Sequence, residues 1–138
     1  MRPLLALALL ALAGCSSFQS SEPSAIPAER LLAFQQPAAS TGEVQVERDV
    51  GFLGGGCLVA FNIDGQLAAR VGPGETGRFQ VPAGGHVVGI TGDLQGDGLC
   101  AKARLRRELP LSLQSGQVAR YRIISQANSG FDIHAVTP

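Results

Sequence analysis

From Glu43 onward the chain alternates. Val44, Val46 and Val50 are interleaved with Glu43, Gln45, Glu47 and Asp49, so apolar and polar side chains fall on opposite faces of an extended segment. Arg48 interrupts the apolar side, which predicts either an edge position or an acidic partner for it. Residues 57–63 (CLVAFNI) repeat the period with Val59, Phe61 and Ile63 on one side, and residues 66–71 return after Asp64-Gly65. That dipeptide suits a two-residue turn of type I′, which needs positive φ at both positions. Residues 77–82 and 86–91 flank Ala83-Gly84-Gly85 as a second hairpin, and 101–109, 118–126 and 131–136 supply three more strands between Ser-Gly and Asn-Ser-Gly turns. About eight strands at spacings of roughly 8–12 residues predict an all-β fold, a small antiparallel β-sandwich over 43–138.

The first 42 residues follow other rules. Behind Met1-Arg2, residues 3–13 are an almost unbroken Leu/Ala run. A bilayer span needs about 20 apolar residues, so this run is too short to cross one and has the layout of a cleaved secretory signal over 1–14. Residues 16–25 (SSFQSSEPSA) are Ser-rich and without periodicity, which predicts a flexible tether. In IPAERLLAFQ, Pro27 suits a first helical position, and Ile26, Leu31 and Phe34 recur near helical spacing. One short helix of about two turns is expected there, then a loop at 35–42. Residues 15–42 thus link the leader to the sandwich.

Leu12-Ala13-Gly14-Cys15 closes the apolar run. It resembles the lipobox of bacterial lipoproteins, which implies cleavage before Cys15, acylation of its thiol and attachment to a membrane through lipid. Several acyl chains, each contributing about 0.8 kcal/mol per buried CH₂, would hold such a protein firmly. Ser16 and Ser17 follow, where enterobacterial lipoproteins retained at the inner membrane carry aspartate. The resemblance therefore implies the outer membrane, with the domain facing the periplasm. Loss of the leader leaves 124 of 138 residues, room for one small domain, with ten cations against eleven carboxylates. That balance gives no reason to expect a nucleic-acid partner.

A second resemblance covers Ile63 to Ile90. IDGQLAARVGPGE followed by FQVPAGGHVVGI resembles PEGA-type domains of bacterial envelope proteins: strand, Asp-Gly turn, strand, then a Pro-x-Gly-x-His turn into a further strand. The Pro-Glu-Gly-Ala tetrapeptide itself is missing. The resemblance implies a small β-sandwich of the envelope and names no ligand.

Arg48 to Cys57 carries four glycines within residues 51–56. A dinucleotide fingerprint would need a third glycine where Val59 stands and a helix where the period is two, and a P-loop would need Gly-Lys-Ser/Thr. The stretch reads instead as an anchor loop for a cysteine. With Cys15 assigned to lipid, Cys57 and Cys100 remain, and an even pair in an oxidising compartment implies a disulfide. Phe52 and Leu53, at the tip of the loop, are a candidate apolar contact, although packing beneath the loop is the commoner fate of such residues.

Chemistry is sparse. His86 belongs with turn and strand structure, and His134 alternates toward solvent; neither is tied by a motif to a nucleophile. Asp93, Gln95, Asp97 and Gly98 match the start of an EF-hand loop, but Arg104 stands where the bidentate glutamate belongs. Lys102, Arg104 and Arg106 alternate in one segment, and Arg120 and Arg122 in another. If those segments pair, five cations share one face, either as a plain soluble surface, as a seat for an anionic cell-wall component or envelope protein, or neutralised by Glu43, Glu47 and Asp49. The expected function is a non-catalytic envelope lipoprotein that binds or scaffolds, without a cofactor; the alternative is an inhibitor or immunity-like protein of an envelope enzyme.

Overall fold

A computed structural model describes residues 17–51, 56–126 and 130–137. The described residues form β1 (Ser24–Ala25), β2 (Thr41–Arg48), β3 (Val59–Ile63), β4 (Gln66–Val71), β5 (Glu75–Pro82), β6 (Gly84–Gly92), a helical turn α1 (Leu99–Lys102), β7 (Arg106–Leu113), β8 (Val118–Gln126) and β9 (Gly130–Val136). A five-stranded sheet, β1-β5-β2-β8-β9, packs against a four-stranded sheet, β4-β3-β6-β7. The expected all-β sandwich is what forms. Two of its strand pairs, β1–β5 and β2–β8, are parallel.

The alternation places the core where the sequence puts its apolar residues. Val44 and Val46 of β2, Phe79 and Val81 of β5, and Ile123 of β8 face Val59, Phe61 and Ile63 of β3 and Val88 and Ile90 of β6, all essentially fully buried. Phe61 and Phe79 meet across the two sheets with ring centroids 5.2 Å apart. The Asp64-Gly65 turn has φ of 52° and 75°. Both values are positive, as a type I′ turn between β3 and β4 requires.

Some local readings give way to tertiary structure, and one open alternative is decided. Ala83 does not close a hairpin: β5 pairs with β2, whereas β6 pairs with β3 and β7, so the chain crosses between sheets there. The strand expected over 101–109 begins only at Arg106, because Leu99–Lys102 forms a helical turn. It also continues through Pro110, which is tolerated because β7 is the edge of its sheet and a ladder N–H is dispensable there. Arg48 lies on a central strand and not at an edge.

The largest change concerns the N-terminal segment. Residues 17–25, expected to be a flexible tether, run along the domain: Phe18 bridges to Val50, and Ser24 and Ala25 pair with Glu75 and Thr76. Ile26 is buried, and a Cβ on Gly77 would come within 2.7 Å of its Cδ1, so the glycine leaves the room into which Ile26 packs. The two-turn helix is a single 3-10 turn, Ala28–Arg30. Leu31 then bridges to Ala69 on β4, and the Leu32 amide donates to the Ala68 carbonyl. Residues 24–34 therefore strap the open side of the sandwich, from the edge of one sheet to the edge of the other. Backbone pairing to two sheet edges demands extended chain, which overrides the apolar spacing that suggested a helix.

Candidate functional site

Strand direction determines which loops share an end of the sandwich. Val59 pairs with both Val71 and Gly92, while Glu47 pairs with Thr76 and Arg48 with Ile123. Residues 49–51, 56–58, 72–75 and 93–105 consequently gather at one end. The Asp64-Gly65 turn and the crossing at Ala83 lie at the other.

Arg48 organises the first end from inside. Its Nη1 donates to the carbonyls of Cys57 and Val71, each at 2.8 Å, and its guanidinium lies 4.6 Å from the Phe131 ring centroid. Burial lowers its pKa to about 10, which still leaves the group charged at neutral pH. A cation buried among carbonyls and an aromatic face thus ties β2 to β3 and β4.

Three carboxylates pin the surrounding segments. Asp49, with its side chain 1% exposed, accepts Nε and Nη2 of Arg122 at 3.0 and 2.6 Å and the Ser17 hydroxyl at 3.1 Å. Asp93 accepts Nε and Nη2 of Arg70, both at 2.8 Å, and these hydrogen bonds hold its carboxyl below the usual range. Glu75 takes a bidentate pair from Arg30 at 2.7 and 2.6 Å. Planar forks meeting carboxylates in this way position backbone as much as they add energy.

The Cys57–Cys100 disulfide forms, with Cα atoms 5.4 Å apart. It fastens the 93–105 loop to the base of β3. Two turns shape the loop, Gly96 N–H to Asp93 carbonyl at 2.9 Å and Cys100 N–H to Asp97 carbonyl at 3.1 Å. The loop presents Leu94 at 81% and Leu99 at 85% exposure. In the stretch that matches the start of an EF-hand loop, Asp93 is committed to Arg70, and no group of His, Cys, Asp or Glu able to hold a metal occurs among the described residues.

The five cations do not share a face. Lys102 ends α1, Arg104 lies in the loop and Arg106 begins β7 of the four-stranded sheet, whereas Arg120 and Arg122 are on β8 of the other sheet. Arg122 is neutralised by Asp49, Arg120 donates to Gln45 Oε1 at 3.2 Å, and Arg106 pairs with Glu108 at 2.7 Å. Lys102 and Arg104 are exposed and make no ion pair among the described residues. Of the acidic stripe, Asp49 carries the neutralisation, and Glu43 only approaches Arg78 at 3.9 Å. Cys15, Phe52 and Leu53 lie outside the described residues.

A groove of about 450 Å³ runs over the outer face of the four-stranded sheet, floored by Ala60, Asn62, Gly89 and Thr91 and flanked by Leu94, Arg106 and Glu108. Polar groups of its floor and flank are matched to each other, Asn62 Nδ2 to Thr91 Oγ1 at 2.9 Å and Arg106 to Glu108. At the far end, His86 bonds Asp64 through Nδ1 and the Pro82 carbonyl through Nε2, both at 2.6 Å. Two acceptors favour the doubly protonated ring, and the Asp64 hydrogen bond raises its pKa above the ordinary 6.5. His86 therefore clamps the hairpin turn to the sheet crossing. His134 is half-exposed beside Asp132.

Sequence reading located the cysteines and the glycine turn. It missed the Arg48, Arg70–Asp93 and Arg30–Glu75 ties, whose partners lie far apart along the chain. The one available signal was a charged residue on the apolar side of a strand, as at Arg48. Comparison with protein-family models, curated proteins and solved structures finds no match for this chain.

Proposed function

We propose that this chain is an outer-membrane lipoprotein, acylated at Cys15 and facing the periplasm, whose β-sandwich binds or scaffolds another envelope component without catalysing a reaction. The observation that carries this reading is the docking of Ser17 and Phe18. Ser17 donates to Asp49 and accepts the Ser125 amide at 3.0 Å, and Phe18 bridges Val50. A Cys15 two residues upstream stays within about 7 Å of Ser17 by chain length alone. Lipid on that cysteine would hold the domain close to the bilayer in one orientation, a useful arrangement for a scaffold. The matched polar groups of the groove suit contact with a partner better than acid–base chemistry, which needs a group free to exchange a proton.

The alternative, an inhibitor that inserts a loop into an envelope enzyme, draws on the exposed, disulfide-pinned 93–105 loop. That loop shares an end with the emerging N-terminus, so an anchored protein would turn it toward lipid and away from a soluble enzyme. The test is metabolic labelling with an alkyne fatty acid, followed by membrane fractionation. Wild type should carry label and sediment with outer membrane, and Cys15→Ser should lose both. Label retained in Cys15→Ser, or wild type recovered as a soluble periplasmic protein, refutes the reading.

A further inference from the structure

We infer that the disulfide end of the sandwich docks on the phospholipid surface through the 93–105 loop, with Leu99 and Leu94 entering the boundary between headgroups and acyl chains and Lys102 and Arg104 meeting anionic headgroups. The inference rests on the acylation proposed above and adds the face that meets the bilayer and the lipid chemistry it takes.

Exposure provides the first argument. Among the described residues, the large apolar side chains more than half exposed are Phe18 at 60%, Leu94 at 81% and Leu99 at 85%. All three belong to the end where the N-terminus emerges. The far end offers the Asp64-Gly65 turn, the polar Gln114-Ser115-Gly116-Gln117 turn and only the shorter side chains of Val87, Val118 and Val136, none more than 40% exposed. Exposed leucines gathered around an anchor point are explained by an apolar phase beside them.

Charge provides the second. Lys102 and Arg104 stand three and five residues beyond Leu99, exposed and without an ion pair among the described residues, whereas Arg30, Arg70 and Arg122 are each matched to a carboxylate. Asp97 is the loop's remaining exposed carboxylate, since Asp93 is held by Arg70. Leucine beside unmatched Lys and Arg is the composition of segments that lie in an anionic membrane interface.

Rigidity provides the third. The disulfide and the Arg70–Asp93 fork hold both ends of the 93–100 segment, which fixes where on the domain the loop presents its leucines. Once an acyl anchor has paid the entropy of association, a weak second contact is enough to set orientation.

The chain has no tryptophan. Leu99→Trp therefore introduces a single indole, at a site exposed enough not to disturb folding. The full-length lipidated variant is reconstituted in phosphatidylethanolamine–phosphatidylglycerol vesicles with brominated acyl chains. Insertion to about 5–10 Å, the depth of interfacial segments, brings the indole within reach of the bromines. The expected result is a blue-shifted emission, most of it quenched. Val87→Trp, near the opposite end of the sandwich, should stay unquenched. Adding Lys102→Glu and Arg104→Glu should weaken quenching in anionic vesicles and leave it unchanged in phosphatidylcholine. Equal quenching at both sites, or none at Leu99→Trp while the protein floats with the vesicles, overturns the docking face and leaves the anchor standing; the second result would assign the loop to a protein partner. A protein that carries no lipid and does not float overturns anchor and docking face together.

Discussion

Removing Arg122 should unfold this domain far more readily than removing any of the exposed cations. Asp49 is 1% exposed, and its two oxygens are served by the Arg122 fork and by Ser17 Oγ. Arg122→Ala leaves that carboxylate buried with a single hydroxyl donor. Breaking a buried pair by deleting one partner costs about 3–5 kcal/mol. Arg122 itself is 34% exposed, so water reaches the vacated side and screens the remaining charge. Discounted for that access, the expected loss is about 2–3 kcal/mol. For a domain of this size it corresponds to a fall of about 10 °C in Tm. Urea titration and thermal melting of Arg122→Ala, Arg104→Ala and the Asp49→Ala/Arg122→Ala double variant provide the assay. Arg104→Ala, exposed and unmatched, should stay within about 0.5 kcal/mol of wild type. The double variant should recover part of the loss, because it no longer buries an orphan charge. An Arg122→Ala protein as stable as Arg104→Ala would refute the reasoning, returning Arg122 to a solvated surface.

Three further expectations concern stability. The Cys57–Cys100 link closes a 43-residue separation and should contribute about 4 kcal/mol on the chain-entropy model, read as the drop in urea-derived stability of Cys57→Ser/Cys100→Ser; a loss below about 1 kcal/mol would contradict it. Ile26→Ala should cost about 2–4 kcal/mol and open residues 17–25 to protease, because Ile26 is 3% exposed on Gly77; a free tether would show neither effect. His86 has a raised folded-state pKa, so its contribution should be complete below 6.5 and shrink as pH climbs through the higher folded value. The stability difference between wild type and His86→Gln, measured by urea titration across that range, should narrow toward alkaline pH, and a constant difference would rule the linkage out.

Period-two alternation was enough to specify an all-β sandwich, because facing and burial repeat with the backbone pleat and need no knowledge of the neighbouring strand. The Asp64-Gly65 turn was equally legible, since positive φ at successive residues is a local demand that few sequences meet. Cys57 and Cys100 could be paired by arithmetic, given the lipobox resemblance of Cys15. Strand neighbours were another matter. Ala83-Gly84-Gly85 is as good a hairpin turn as Asp64-Gly65 by composition, yet β5 and β6 enter different sheets, and β7 and β8 do the same, which dispersed the supposed cation face. Pairing is chosen by which apolar faces can be buried together, a property of the assembled sandwich that no short window contains. The same holds for residues 17–34, whose spacing suggested tether and helix. Two exposed sheet edges with unpaired N–H and C=O groups drew that segment into an extended strap, and only their position in the folded domain could decide it.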